Sequence, residues 1–277
     1  MKQLLKIILP QGAINTARDA RDRARLSALP RLAVKAENLK PAAALDLPGL
    51  LAHADAEKNW QRDHDAITRT FGGAHVLEGV NPGDRRALYQ LISALKPKNI
   101  LEIGTHVGAS TLYIACALKS AGVTGRIVTA DIVDVNDPQS GPWRRVGLKQ
   151  TPQDYAAQLG VAGVISFRQG TALDFMKATP ERFDFIFLDG DHAAQAVYRE
   201  VAAATRILNP GGVILLHDYY PDGRPLFPDG SIISGPYRAL ERILKENREI
   251  AVASLTPLPW PTKQGSQASS LALVLRR

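Results

Sequence analysis

The sequence predicts an α/β fold, a seven-stranded and mostly parallel sheet between two layers of helices, with an antiparallel last strand and an N-terminal helical arm. From Pro82 onward, apolar β-type runs alternate with helical stretches, which is typical of a parallel sheet covered on both faces. The first run, 99–104, ends in a glycine turn that leads into a helix start. The last two runs are joined by a Pro-rich, polar segment at 256–269 without a helix-length connection, as in a hairpin.

The remaining elements follow from the same alternation of apolar and polar residues. We predict strands at residues 99–104, 126–131, 164–168, 183–189, 213–218, 250–255 and 271–276. We predict helices between them, notably at 84–95, 109–121, 152–159, 193–208 and 236–246. Residues 1–80, rich in Ala, Leu and Arg and interrupted by four prolines, predict several short helices, and we call them the N-terminal arm. Residues 81–277 are predicted to form the ligand-binding domain, a normal length for one domain.

Composition excludes several classes of protein. With 277 residues, 45% of them hydrophobic and 22% charged, the chain is an ordinary globular protein. Its single cysteine, Cys116, lies in an apolar run, so an intramolecular disulfide is excluded and a reducing compartment is indicated. Residues 1–10 resemble a signal peptide only superficially, because their apolar core is short and contains Lys6. We therefore expect a cytoplasmic protein without a transmembrane segment.

The net charge of +7 is concentrated in the arm, where residues 1–40 hold nine Lys or Arg against three Asp or Glu. We interpret this excess as a solvated helical face that packs on its own domain or on a second subunit of a homodimer. The alternative is contact with anionic lipid, nucleic acid or an acidic partner.

The segment 99–111 indicates the kind of ligand. Its glycine turn and the following helix start present backbone N–H groups to an anionic group. A dinucleotide fingerprint requires glycines at the positions of Gly104, His106 and Ala109, and a histidine at the second makes NAD or FAD a poor fit. What remains is the pattern Glu-x-Gly-x-x-x-Gly-x-Ser, from Glu102 through Gly108 to Ser110.

Three further strands end in polar residues, and the carboxyl ends of parallel strands meet at the ligand-binding edge of a sheet. The second strand ends in Asp131, a carboxylate able to accept hydrogen bonds from a ribose diol. The fourth run leads into Asp189-Gly190-Asp191-His192 and the fifth into His217-Asp218. We expect these two strand ends to be neighbours, which concentrates costly charge where the crevice opens.

The pattern from Glu102 to Ser110 resembles the first motif of class I S-adenosylmethionine (SAM)-dependent methyltransferases. Their architecture is a Rossmann-like three-layer sandwich with a reversed last strand, which agrees with the predicted elements. By this resemblance Gly104 gives the cofactor room, Ser110 meets the methionine carboxylate and Glu102 orients the loop. The implied cofactor-binding residues are Glu102, Gly104, Thr105, Gly108, Ser110, Asp131, Ile132, Gly170, Thr171, Ala172 and Asp189.

The two acidic strand ends resemble those of divalent-cation-dependent small-molecule O-methyltransferases, including the catechol, caffeoyl-CoA and macrolide-sugar types. The resemblance puts Asp189 and Asp218 on metal-ligand positions, His192 on a catalytic lysine position and Asp191 on a catalytic acid position. Relatives have a third carboxylate or amide beside the strand-five aspartate, whereas here the flanking residue is His217. We therefore predict Asp189, Asp218 and His217 as ligands of Mg²⁺ or Mn²⁺, although imidazole suits Mn²⁺ better.

These observations predict an O-methyltransferase acting on a small hydroxylated acceptor, a sugar or a phenol. The sulfonium methyl of SAM is already activated, so the protein has to align the acceptor and remove its proton, with His192 or Asp191 as the base. The loops at 133–151 and 219–235 are expected to wall the acceptor site, and the arm to cap it or to form a dimer. One alternative is the same fold without a metal, and another is a non-catalytic SAM-binding or scaffold protein. Nucleic-acid methylation is disfavoured, since no Asn/Asp-Pro-Pro-aromatic tetrapeptide ends the fourth strand.

Overall fold

A computed structural model describes residues 11–72 and 79–277. Its seven strands form one sheet. They are β1 (Asn99–Ile103), β2 (Arg126–Asp131), β3 (Ile165–Gln169), β4 (Phe183–Leu188), β5 (Leu208–Leu216), β6 (Ile250–Ser254) and β7 (Ala272–Arg276). The spatial order is β3-β2-β1-β4-β5-β7-β6, and only β7 runs antiparallel to its neighbours. The predicted fold class is confirmed, including the reversed last strand.

Helices cover both faces of the sheet and make up most of the described arm. They are α1 (Gln11–Ser27), α2 (Leu47–Leu51), α3 (Ala54–Thr70), α4 (Pro82–Leu95), α5 (Ala109–Ser120), α6 (Pro142–Arg145), α7 (Pro152–Gln158), α8 (Ala172–Ala178), α9 (Ala194–Ile207) and α10 (Ser234–Glu246). Short 3₁₀ turns lie at Ala36–Asn38, Ala42–Ala44, Ala162–Val164 and Pro221–Gly223. None of the helices within the described ranges is long and apolar enough to cross a bilayer.

Strand alternation divides the core into two layers, since successive side chains point to opposite faces. Ile100 packs with α4, α5 and the aromatic side of α3, where Trp60 is buried. Leu101 packs on the other face with apolar residues of α9 and α10 such as Val197 and Leu240. Both layers are closed by residues of the arm, so the described part of the arm packs on its own domain. The opening segment 1–10 lies outside the described residues.

The predicted bounds hold to within one residue for six of the strands and two residues for the five predicted helices. Strand β5 is the exception, because it begins at Leu208 and not at residue 213. Pro210 and two following glycines indicate a turn in the sequence. In the structure Leu208 pairs with Phe183 and Val213 with Phe185, so residues 209–212 form a bulge within the strand, with Gly211 at φ +77°. The short helices α6 and α8 were not predicted; the four residues of α6 are too few to establish a helical period.

Candidate functional site

A cavity of about 1070 Å³ opens at the carboxyl edge of the parallel strands. It brings together most of the residues selected from the sequence. Those lining it are Gly104, Asp131, Ile132, Gly170, Thr171, Ala172, Asp189, Asp191, His192, His217 and Asp218. Four others, Glu102, Thr105, Gly108 and Ser110, lie behind its wall and do not line it. The loop at 219–235 also lines the cavity, through residues such as Tyr220 and Phe227, whereas the loop at 133–151 does not.

The buried side chain of Glu102 supports the glycine turn through hydrogen bonds. Its buried carboxyl accepts hydrogen bonds from Ser110 Oγ at 2.5 Å, from Thr129 Oγ1 at 2.7 Å and from Thr111. Thr129 is in turn hydrogen-bonded to Thr105 at 2.6 Å. The predicted contact between Ser110 and the methionine carboxylate stays a prediction, and the Ser110 hydroxyl is already directed at Glu102. Burial raises the pKa of Glu102 to about 7 against the lowering effect of these hydroxyls.

This raised pKa makes a testable contribution to stability. The folded chain keeps the Glu102 proton at pH values where the unfolded chain has released it, so stability falls as the pH rises from about 4.5 to about 7. Relative to Glu102→Gln, which does not titrate, the wild-type free energy of unfolding is expected to decrease by about 3 kcal/mol between pH 4 and pH 8. Urea unfolding of both proteins across this range measures the difference. A constant difference would contradict the assignment.

Position 104 requires a glycine, because the end of β1 lies very close to the backbone that follows β4. The φ of Gly104 is +97°, and a Cβ built there would lie 2.2 Å from the carbonyl oxygen of Asp189. The missing side chain thus makes room for the backbone that follows β4, in addition to the cofactor room that the sequence suggested. The close approach brings the part of the cavity lined by Asp131 next to the part lined by Asp189.

Asp131 and Ile132 form the wall beyond β2. The two carboxylate oxygens of Asp131 accept the N–H groups of His106 at 2.9 Å and Val133 at 3.2 Å, which fixes the orientation of the carboxylate. Ile132 is 69% exposed although it is a large apolar residue. Both line the cavity, and a carboxylate next to an uncovered apolar side chain fits a nucleoside, whose ribose is polar and whose base is flat and apolar.

The segment after β3 forms the adjacent wall, since the Gly170 N–H donates to the Asp131 carbonyl oxygen at 2.8 Å. Gly170 continues from the strand, and Thr171 begins α8 as its N-cap residue. The Thr171 hydroxyl accepts the N–H of Asp174 at 3.2 Å and donates to its carboxylate at 2.7 Å. The Thr171 hydroxyl is therefore engaged with Asp174, and Gly170, Thr171 and Ala172 all line the cavity.

The ends of β4 and β5 carry the charged cluster. Leu188 pairs with Leu216, so the residues that follow them are neighbours, as predicted. His217 Nδ1 lies 2.9 Å from Asp189 Oδ1 and 3.4 Å from Asp218 Oδ1. His192 Nδ1 lies 3.3 Å from Asp218 Oδ2, and its ring is partly exposed to the cavity.

His217 is buried within a shell of carboxylates. Its Nε2 lies 3.5 Å from Asp84 Oδ2, at the first turn of α4. Burial alone lowers the pKa of His217, but Asp189, Asp218 and Asp84 together outweigh burial and raise this pKa well above 6.5. Both ring nitrogens of the resulting imidazolium are donors, so His217 acts here as an internal counter-ion.

Sequence reasoning missed Asp84. In the sequence it is only an acidic residue at the predicted start of a helix, which in the structure begins at Pro82 and is capped by Asn81. Asp84 is nevertheless fully buried, and its Oδ2 also accepts hydrogen bonds from Asn81 Nδ2 at 2.6 Å and Ser270 Oγ at 3.2 Å. No sequence signal links Asp84 to His217, since 132 residues separate them and only the fold brings them together.

A single cation fits three of these side chains. One ligand atom each from Asp189, His192 and Asp218 lies within 4.8 Å of the others. In this geometry His192 is the histidine that accompanies the two aspartates, whereas the sequence suggested His217 as the ligand. Two carboxylates and one imidazole form a mixed oxygen and nitrogen donor set, which suits Mn²⁺, Fe²⁺ or Zn²⁺ better than Mg²⁺.

The described arm reaches the cavity through α1. This helix packs against α9 and α10, and Asp19 accepts a hydrogen bond from Arg238 Nε at 2.5 Å. Arg18, on the same helix, lines the cavity. Part of the arm's charge is paired locally, as in the 2.8 Å contact between Arg23 and Asp19.

The strand order with a reversed β7, together with a nucleoside-compatible cavity beside an acidic strand end, defines a class I methyltransferase. A sequence model of the methyltransferase-domain family matches residues 101–219. A catechol O-methyltransferase from Mycobacterium tuberculosis is 30% identical over 166 residues, which cover 58% of this chain and 68% of that protein. The chain therefore belongs to the SAM-dependent O-methyltransferase family.

Other relatives agree with this membership. A catechol O-methyltransferase from Niastella koreensis is 30% identical over 151 residues, which cover 53% of this chain and 61% of that protein. This chain thus spans less than two thirds of that relative's length. Among solved structures, the Streptomyces achromogenes O-methyltransferase TomG in complex with SAM has a TM-score of 0.53 at 21% identity, covering 95% of this chain and 98% of that one. A Bacillus cereus O-methyltransferase in complex with SAH, the demethylated form of SAM, has a TM-score of 0.53 at 20% identity, covering 95% and 100%. These structures agree with the fold.

Proposed function

We propose that this protein transfers the methyl group of SAM to a hydroxyl of a small acceptor, assisted by a divalent cation. The observation that carries the proposal is that Asp131, suited to a ribose, and the cluster of Asp189, His192 and Asp218 line one continuous cavity. A cofactor on the first strand ends and an acceptor beside the cluster would then be adjacent, as methyl transfer requires.

The chain's own residues have separate tasks in this proposal. Asp131 holds the ribose, Ile132 covers the adenine, and the turn at Gly104 receives the amino-acid end of SAM. The cluster at the ends of β4 and β5 faces the acceptor, and Tyr220 and Phe227 contribute its aromatic wall. Relatives in the same family are described as catechol O-methyltransferase and, in Mycobacterium leprae, rhamnosyl O-methyltransferase, which supports a phenol or a sugar as the acceptor.

Asp189, Asp218 and His192 would hold the cation. A bound divalent cation lowers the pKa of a hydroxyl that it contacts. Counting Asp84, the cluster holds three carboxylates against one imidazolium on His217, and this excess of negative charge supports a cation. Asp191 is exposed in the cavity wall, where its Oδ1 accepts the Ala193 N–H at 2.8 Å, and we assign it the acceptor's proton.

A second candidate mechanism uses no metal. His192 Nδ1 lies 3.3 Å from Asp218 Oδ2, so Asp218 can orient the ring and stabilise its protonated form while Nε2 takes the acceptor's proton. The buried His217 favours this candidate as well, because it already neutralises part of the carboxylate charge.

The roles of the arm and the cellular location of the protein are also proposals. The arm, with Arg18 in the cavity wall, would cap the acceptor site, and its outer helices would provide a homodimer contact. A cytoplasmic location is supported by Cys116, a buried thiol whose pKa burial raises to about 12, which keeps it unreactive.

Calorimetry with SAH tests the cofactor half of the proposal. We expect the wild type to bind SAH and Asp131→Ala to bind about 30-fold more weakly, because two hydrogen bonds from the ribose to a carboxylate are lost. Asp134→Ala is the matched control, since Asp134 is an exposed aspartate of the same loop that does not line the cavity. Equal affinities for the two variants would refute the ribose assignment.

Chelation tests the metal half. Methyl transfer to a catechol or sugar probe is expected to fall at least 100-fold after exhaustive chelation and to return with Mn²⁺. The response to chelation separates the two mechanisms, because His192→Ala is expected to lose activity in both. Unchanged activity after chelation, together with complete loss in His192→Ala, would favour the metal-free mechanism.

A further inference from the structure

Glu200 is a buried carboxyl that neither mechanism uses. It lies in the middle of α9, is only 6% exposed and lines the cavity. Within the described ranges it has neither a hydrogen bond nor an ion pair. Burial, and secondarily the charge of Asp191, raises the pKa of Glu200 to about 7. A carboxyl buried without a partner is costly, which points to a ligand that supplies the missing hydrogen bond.

The helix geometry decides which part of the cavity Glu200 faces. Tyr198 marks the side of α9 that faces α10 and the arm, since its hydroxyl bonds Glu246 at 2.6 Å and the N–H of Leu32 at 2.9 Å. Glu200 is two residues later, about 200° around the helix, and so faces away from that side. Helix α9 packs against α8 as well as against α10 and α1, and because α10 and the arm occupy the Tyr198 side, we place α8 on the side of Glu200. The first residues of α8, with Thr171, line the cavity next to Asp131 and Ile132, where the adenine of the proposed SAM site would lie, and we call this part the adenine wall. The loop at 219–235 leads instead into α10.

The adenine wall otherwise offers few free acceptors. The Thr171 hydroxyl is already bonded to Asp174. The 6-amino group of an adenine is a hydrogen-bond donor that a buried carboxyl can satisfy directly. On the basis of the proposed SAM site, we propose that the Glu200 carboxylate accepts a hydrogen bond from the adenine 6-amino group of SAM. Glu200 thereby selects adenine among the purines.

Calorimetry with two ligands tests this inference. SAH carries the 6-amino group, and S-inosylhomocysteine carries a carbonyl in its place. We expect the wild type to prefer SAH and Glu200→Leu to bind SAH about 10-fold more weakly. This variant should bind S-inosylhomocysteine as tightly as the wild type does, so the preference for SAH should disappear. Glu200→Gln should also lose the preference, because its amide can donate to the carbonyl as well as accept from the amine.

Two controls make the result specific. Glu241→Gln changes a carboxylate of α10 that is paired with Arg238 and Lys245 and does not line the cavity, and it should keep the wild-type preference. Thermal melting without ligand should show Glu200→Leu folded and at least as stable as the wild type, because an unpaired buried carboxyl has been removed.

The contrary outcomes are distinct. An unchanged preference in Glu200→Leu, or an equal loss for both ligands, would overturn the inference. So would unaltered SAH binding with a raised KM for the acceptor, because Glu200 would then face the acceptor. A wild-type protein that binds neither compound contradicts the proposed function itself, and the inference fails with it.

Discussion

Asp218→Asn is expected to lower kcat for methyl transfer by about 1,000-fold while SAH affinity and the fold stay unchanged. Asp218 contacts both His192 and His217, so the substitution removes the charge that either mechanism needs at the acceptor. Its φ is +56°, a left-handed conformation that Asn tolerates as well as Asp does, so the backbone is not strained by the change. Initial rates with a catechol or sugar probe, together with SAH calorimetry, measure the two quantities.

Asp222→Asn is the matched control for this variant. Asp222 lies in the same loop with φ +57°, is exposed and does not line the cavity. It is expected to keep wild-type kcat. If Asp218→Asn retained more than a tenth of the wild-type rate, the acidic cluster would not be the acceptor site.

Gly104→Ala is expected to destabilise the protein by about 4 kcal/mol and to abolish SAH binding. The left-handed backbone contributes about 1–2 kcal/mol of this cost, and overpacking against the Asp189 carbonyl at 2.2 Å adds about 1–3 kcal/mol. The clash also pushes the end of β4 away from β1, which moves Asp189 relative to Asp131. Urea unfolding and calorimetry measure the two effects.

Gly122→Ala separates strain from clash. Gly122 also has a positive φ, +66°, but nothing lies within 4 Å of a Cβ built there. This variant is expected to lose only about 1–2 kcal/mol and to bind SAH normally. Similar losses in the two variants would mean that the contact between Gly104 and Asp189 has no energetic importance.

Much of the fold could be predicted because its signals are local. The apolar run that ends at Gly104 and the capping pattern at Thr151 and Asp154 act over a few residues and are readable from the chain. Helix α6 was not predicted because it contains only four residues, and the start of β5 was placed too late because Pro210 usually marks a turn. These errors fall where the pairing with neighbours overrides local preference.

The candidate site was predictable in its residue types and strand ends but not in its contacts. The sequence alone was enough to predict a mostly parallel α/β sheet whose second, fourth and fifth strands bring Asp131, Asp189 and Asp218 to one edge, because strand ends and turn residues are set by local chemistry. Three relations could be seen only in the folded chain: Asp84 lies 3.5 Å from His217, His192 accompanies the two aspartates, and Glu200 lines the same cavity. These relations depend on how helices that are distant in sequence pack against the sheet. A local residue pattern does not specify the distances between their side chains.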